Sequence, residues 1–428
     1  MTLTLLNYPE SVRFLYTLGN EAKTVKLGLE TMRAMLGRLG DPHRGPRFVH
    51  VGGTNGKGSV CAMIESGLRR AGRRTGLFTS PHLVEPVERI QAGGRAIAPD
   101  LFARAFEKVH RAAEAMLAAG DLSHHPTYFE TVTLMAFLVF QELGVETVAL
   151  EVGLGGRLDA TNVVSPDVSV ITPVDYDHEA YLGKSLEAIA GEKAGIIKPG
   201  TPLVLGPQHP SVQALFEERA ARLGSPVIRH SDWQALNLEL HAHGSRFLAA
   251  GRGELNIECP LAGEHQVANA LTAIAALEAL GVPPEAIEDG IRRARWPGRL
   301  ERVRERPEIV LDGAHNPAGA AALARHIRRF YGNRRVWLVY GAMRDKAVSE
   351  ALSHLLPLAH EVVLTAPANP RAVRPEAMAE MADHPRLHKA GNLGAAIALV
   401  EASAGRDDVV FITGSLFLVG EARALLVQ

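Results

Sequence analysis

Residues Phe48-Val49-His50-Val51-Gly52-Gly53-Thr54-Asn55-Gly56-Lys57-Gly58-Ser59-Val60 constrain the fold more than any other stretch: an apolar strand, a glycine turn carrying one lysine, then a helix. Glycines at 52, 53, 56 and 58 remove the Cβ atoms that would stop backbone N–H groups from converging on an anion. The helix that follows adds its positive N-terminal end, so the stretch predicts a phosphate cradle with Asn55, Gly56, Lys57, Gly58 and Ser59 at its centre. The match to the Walker pattern is approximate, because Val51 stands where glycine is expected and Gly58 where Ser or Thr would offer a hydroxyl to Mg²⁺. Metal ligands are therefore expected from elsewhere in the chain. The alternative, a glycine turn with an incidental lysine, leaves the flanking strand and helix unexplained.

A chain of 428 residues exceeds the size at which one core keeps growing, which predicts two domains. Apolar residues at 46% and charged residues at 22% are ordinary for a globular protein. A formal net charge of −1 argues against a nucleic-acid or membrane-surface partner and leaves room for a local anion site. Cys61 and Cys259 are too few for a disulfide framework and are expected to be buried, reduced and inert. The first residues lack a basic region followed by a long apolar core, and the apolar stretch 132–150 is broken by Gln141, Glu142, Gly144 and Glu146. A cytoplasmic location is the expectation.

Continuous apolar runs predict buried parallel strands at 48–52, 75–79, 147–152, 168–174 and 202–205, with helices between them. Residues 226–252 alternate in short stretches, which predicts a small antiparallel addition. Trp296-Pro297-Gly298 breaks the helical pattern, so the domains are placed at 1–296 and 297–428. Past the break, strands at 309–311, 336–339, 362–364 and 409–412 alternate with helices. The fold class is thus α/β: an N-terminal P-loop-type, mostly parallel sheet with the antiparallel addition, then a C-terminal Rossmann-like domain. That second domain lacks a GxGxxG turn at its first strand, which disfavours a dinucleotide.

In open α/β sheets, ligands bind at the carboxyl ends of strands. Ser80 follows the second strand, Glu151 ends the third, and Asp175-Tyr176-Asp177-His178 follows the fourth. Magnesium takes hard oxygen donors, so Ser80 and Glu151 are the expected ligands, with His178, Asp175 and Asp177 as further candidates. Each residue alone also reads as a cap or a satisfied buried polar group; together, beside a phosphate loop, they favour a metal. Asp312-Gly313-Ala314-His315-Asn316-Pro317 occupies a strand-to-helix junction, where Asp312 or Asn316 as helix cap is the plainer reading. Arg299 is expected to reach a phosphate, with a structural salt bridge as the alternative.

Gly53-Thr54-Asn55-Gly56-Lys57-Gly58-Ser59, Thr79-Ser80-Pro81-His82, Tyr128-Phe129-Glu130, the run 151–162, Glu192-Lys193-Ala194-Gly195-Ile196, Pro297-Gly298-Arg299-Leu300-Glu301 and 312–317 together resemble the folylpolyglutamate synthase and dihydrofolate synthase family, within the Mur ligases. The motifs occur in that family's order. The resemblance implies an ATP-dependent ligase: ATP phosphorylates the carboxylate of a folate or dihydropteroate, and L-glutamate displaces phosphate from the acyl phosphate. It implies that Gly56 to Ser59 hold the ATP phosphates, that Asn269, Arg299 and Asp312 contact the nucleotide, and that His315 lies nearby. Ser80, Glu151 and His178 resemble the positions for Mg²⁺, two ions in such enzymes, and Lys193 resembles a carbamylated lysine. The catalytic set implied is Lys57, Lys193, His178 and His315. Phe129, Leu158, Asp159, Ala160 and Ile196 resemble positions on the pterin side, with Thr24, Lys26 and Leu27 on a segment covering that substrate. Lys26 departs from the Asp often found in relatives before Leu-Gly-Leu-Glu, which bears on use of dihydropteroate. A monomer is implied.

For Lys193 the residues themselves give a physical reason. An ammonium beside Mg²⁺ is repelled, so an unmodified Lys193 is expected to point away or to pair with Glu192 or a phosphate; carbamylation removes the conflict. Two rival functions predict different behaviour. A cell-wall Mur ligase needs a separate nucleotide-sugar domain, for which this chain has little room, and a P-loop switch shows no glutamate-dependent ADP release.

Overall fold

The computed structural model describes residues 7–18, 28–344 and 346–427. Thr24, Lys26 and Leu27 lie outside the described residues. Contacts divide the chain into two compact units. The first comprises residues up to Val174 with 180–233 and 269–291; the second comprises 175–179, 234–268 and 292 onward.

Eight strands form the sheet of the first unit: β1 (Arg47–Gly52), β2 (Thr75–Phe78), β3 (Ile90–Ala92), β4 (Arg95–Ala96), β5 (Thr147–Glu151), β6 (Val168–Ile171), β7 (Leu203–Leu205) and β8 (Val227–Arg229). Their order is β4-β3-β2-β5-β1-β6-β7-β8. The six strands from β2 to β8 run parallel, and β3 and β4 add an antiparallel edge. β1, β2, β5 and β6 are buried almost throughout, which is why they read as unbroken apolar runs and not as alternation. β6 stops at Ile171, short of the expected end at Val174, because Pro173 has no N–H for the ladder.

Helix Tyr128–Glu142 is buried on nearly every face, with Val132, Phe137 and Phe140 fully buried. Its apolar residues run all around the helix because it is a core helix. Thr127 caps it by accepting from Glu130 N, while the Glu130 carboxylate accepts from Thr127 N, a reciprocal pair that fixes where the helix starts.

In the second unit, β9 (Gln234–His241), β10 (Gly244–Ala250) and β11 (Glu254–Cys259) form an antiparallel sheet in the order β11-β10-β9. The alternation in the sequence anticipated this sheet, but compactness groups it with the second unit and not with the first. The remaining strands are β12 (Glu301–Glu305), β13 (Glu308–Leu311), β14 (Val336–Tyr340), β15 (Glu361–Leu364), β16 (Leu387–Lys389) and β17 (Val409–Thr413). They form a six-stranded sheet, β12-β13-β17-β14-β15-β16, parallel except for the β12–β13 pair. This is the expected Rossmann-like array, with an antiparallel strand added at one edge. Cys61 and Cys259 are free and buried, and burial pushes the Cys259 thiol up to about 12. Among the described residues no helix is long and apolar enough to cross a membrane.

Candidate active site

Because β1, β2, β5 and β6 are parallel neighbours, their carboxyl ends fall on one edge of the first sheet. The phosphate loop leaves β1 on that edge and enters helix Lys57–Arg70. Gly53 (φ +139°) and Gly56 (φ +89°) adopt backbone conformations that disfavour a side chain. Space forbids one as well: a Cβ on Gly56 would lie 2.5 Å from Asn269 Oδ1. The buried Asn269 amide therefore lies directly against the loop.

Not all of the loop faces a ligand. Thr54 N and Asn55 N donate to Pro173 O at 2.9 and 3.2 Å, so those two groups hold the turn to the end of β6. The first turn of the helix, Gly56 to Ser59, supplies the cradle. Lys57 Nζ donates to Thr54 O at 3.1 Å, folded back over its own loop.

At the adjacent strand end, Glu151 is 4% exposed and its Oε2 accepts from Ser80 N at 2.9 Å. This bond fixes the Ser80 turn to the Glu151 carboxylate and brings two hard-oxygen side chains together. The donor set fits Mg²⁺, which takes oxygen ligands in small number, and the glycine cradle fits a phosphate.

Lys193, 4% exposed at the end of helix Leu186–Lys193, donates from Nζ to Gly53 O at 2.8 Å. The expected partner Glu192 instead pairs with Arg157 at 2.9 Å. The lysine thus reaches the phosphate loop from beneath.

Several residues expected on the pterin side have other work for their side chains. Asp159 is buried and accepts from Leu154 N at 2.8 Å and from Thr161 N at 2.9 Å, stapling the 154–161 turn, and burial raises its pKa. Ile196 is fully buried beneath Gly52 and Gly156, and Ala160 is 6% exposed. The structure seats these three side chains in packing and in the turn itself. Phe129 and Leu158 are half-buried, with surface still exposed.

One group near these residues went unread in the sequence. Arg89, 3% exposed, donates from Nε to His82 Nδ1 at 2.8 Å and lies 5.1 Å from the centre of the Tyr128 ring. Tyr16 stacks on Tyr128 at 5.8 Å and meets His82 Nε2 at 3.4 Å. Burial, then the Arg89 charge, lowers the His82 pKa to about 3, so the imidazole is neutral. His82 was visible in its motif, but its partners come from three other segments.

In the second unit, the Asp177 carboxylate, a candidate metal ligand from sequence, is engaged by other side chains. It pairs with Lys346 Nζ at 2.6 Å and faces His315 Nε2 at 3.5 Å and His178 Nε2 at 3.9 Å. Burial opposes ionisation, but the His315 bond and the Lys346 charge hold the carboxyl well below the usual carboxylate range. His315 Nδ1 bonds Gly313 O at 2.8 Å, so both of its ring nitrogens are oriented. His178 takes a left-handed backbone, φ +54°.

Asn316 is the helix cap, accepting from Gly319 N at 2.8 Å. Asp312 instead accepts from Leu300 N and Ala314 N, both at 3.0 Å, and burial raises its pKa. Arg299 donates from a guanidinium nitrogen to Gly298 O at 3.1 Å.

Comparison with known proteins agrees with this geometry. Residues 51–277 match the Mur ligase middle domain, and residues 298–416 match the Mur ligase glutamate ligase domain. The dihydrofolate synthase/folylpolyglutamate synthase of Bacillus subtilis is 36% identical over 94% of this chain and 95% of its own length. The solved Mycobacterium tuberculosis folylpolyglutamate synthase, complexed with ADP and AMPPCP, superposes with a TM-score of 0.91 at 35% identity, covering 99% of each chain. Escherichia coli FolC, solved with DHPP and ADP, gives 0.87 at 34% identity over 98% of each chain. The chain belongs to the Mur ligase family, in its folylpolyglutamate synthase/dihydrofolate synthase branch, and is an ATP-dependent ligase.

Proposed function

We propose that this ligase joins L-glutamate to the carboxylate of a reduced folate, with dihydropteroate as a second acceptor, through an acyl phosphate. The observation that carries the reading is the pairing of a glycine cradle and Lys57 with Glu151 at the next strand end and Ser80 at the one beyond it, linked by the Ser80 N–Glu151 bond. When bound, ATP supplies the phosphoryl group and Mg²⁺ neutralises charge on the phosphates.

The chain's own residues then have these roles. Gly56 to Ser59 present N–H groups to the phosphates, and Lys57 leaves Thr54 O to neutralise charge that develops during transfer. Asn55, Asn269, Arg299 and Asp312 contribute to nucleotide binding. Ser80, Glu151 and His178 offer metal ligands, and His315, oriented by Gly313 and Asp177, serves the transfer. Phe129 and Leu158 give half-buried apolar surface suited to a flat pterin ring. Excluding water protects the acyl phosphate until the amine of glutamate attacks its carbonyl carbon and phosphate leaves. We place the enzyme in the cytoplasm as a monomer without nucleic-acid or membrane partners; the near-zero net charge supports the absence of those two partners.

Lys193 belongs to the same proposal as a carbamate: its neutral amine bonds to the carbon of CO₂ and loses one proton, converting a cation into a hard-oxygen anion. The burial of Lys193 and its bond to Gly53 O, beside the phosphate loop, support that reading. Lys193→Ala is expected to lose activity, with short carboxylic acids restoring part of it, and ¹³CO₂ to give a carbamate NMR signal in the parent protein alone. Full activity of the Ala variant would refute the assignment.

A further inference from the structure

We propose that His110, Glu114 and His125 form a binding site for a divalent transition-metal ion of the zinc type. Among the described residues this is where three ligand atoms of the His, Cys, Asp and Glu type converge, all within 4.8 Å of one another. None of the three belongs to the ligase machinery described above.

The site is assembled from two elements. His110 and Glu114 stand one turn apart on helix Pro99–Ala119, a spacing that puts both on one face. His125 comes from the loop that leads into helix Tyr128–Glu142. Glu114 Oε1 lies 4.0 Å from His110 Nδ1 and 3.7 Å from His125 Nε2. Both distances are too long for hydrogen bonds, and both imidazole nitrogens are buried without a hydrogen-bond partner. Buried polar atoms are rarely left so, and here two of them face the same carboxylate oxygen.

The surroundings prepare the ligands. His125 Nδ1 lies 3.2 Å from Pro126 O, which can only accept, so that nitrogen carries the proton and Nε2 keeps its lone pair. A backbone carbonyl on the far nitrogen is the usual way a metal-binding histidine is oriented. His110 is held between Phe106, stacked at 5.6 Å, and Phe14, edge-on at 4.6 Å, and burial lowers its pKa, which favours the neutral ring. Glu114 is 57% exposed, which gives an ion a route in and leaves a fourth position for water.

Tetrahedral zinc with bonds near 2.0–2.1 Å sets its ligand atoms about 3.3 Å apart, so the present gaps close by about 1.5 Å at most, within the reach of side-chain rotation. Two imidazoles and one carboxylate suit zinc far better than magnesium or calcium, which take oxygen. A bound ion would tie the 120–127 loop to helix Pro99–Ala119 just before Thr127, the cap of the helix that carries Phe129.

The test uses untagged full-length protein stripped with a chelator and titrated with zinc chloride by calorimetry, beside Glu114→Gln and His125→Gln. Glu114 is exposed enough that its exchange leaves the fold intact, which circular dichroism checks. The parent protein is expected to take up one more zinc than either variant, or to bind that ion about a hundredfold more tightly. Cobalt should give four-coordinate visible bands in the parent alone. Equal zinc uptake and affinity in all three proteins, with no cobalt bands lost, would overturn the site.

Discussion

Replacing Lys57 with Ala separates catalysis from folding, and the structure sets both magnitudes. Without nucleotide, Lys57 contributes one hydrogen bond from a half-buried side chain, to Thr54 O at 3.1 Å. Such a bond adds roughly 0.5–1.5 kcal/mol of stability, so the unfolding midpoint should fall by a few degrees at most. In the reaction the same ammonium faces phosphate oxygens. A unit charge about 4 Å from another at an effective dielectric near 20 contributes roughly 4 kcal/mol, and deletion of one preorganised donor commonly removes about 3–4 kcal/mol. Turnover should therefore drop by about 10²–10³ at saturating ATP, with the fold retained. The assay is ADP release dependent on glutamate and folate, run beside a thermal melt. Near-normal turnover at saturating ATP would refute the phosphate-loop assignment; it is what an incidental lysine in a glycine turn predicts.

Lys346→Met should destabilise the protein by about 3 kcal/mol in urea unfolding, because it leaves the Asp177 carboxylate buried without its 2.6 Å partner, and adding Asp177→Asn should restore most of the loss. The Asp177 pKa is lowered on folding, so its contribution is complete above the usual aspartate value near 4 and is lost as pH falls below it; the parent should lose stability in acid more steeply than the double variant. Arg299→Ala should raise the KM for ATP far more than it changes folate affinity measured by fluorescence; an unchanged KM for ATP would return Arg299 to a structural role at Gly298.

The parts of this molecule that read well in sequence are those whose signal is local. Buried parallel strands such as β5 announce themselves as apolar runs, and the phosphate loop combines a strand, glycines and a helix within a few residues. The β3–β4 hairpin was missed although Gly93-Gly94, with φ of +59° and +77°, is a strong turn signal; strands of three and two residues are too short to show alternation. What stayed hidden depends on partners far along the chain. Asp177 reads as a strand-end carboxylate, while its ion-pair partner Lys346 lies 169 residues away. Nothing local shows that Ile196 packs beneath Gly52 and Gly156. The antiparallel sheet was legible as a sheet, yet the chain enters the second unit three times, and such returns leave no mark in composition.

The central claim is tested most directly by measuring ADP release with ATP, Mg²⁺ and L-glutamate while varying the acceptor. Release is expected only when glutamate and an acceptor are both present, with tetrahydrofolate and dihydropteroate each supporting it and each yielding a product one glutamate heavier. ADP release that ignores glutamate, or that proceeds without an amide product, would contradict it.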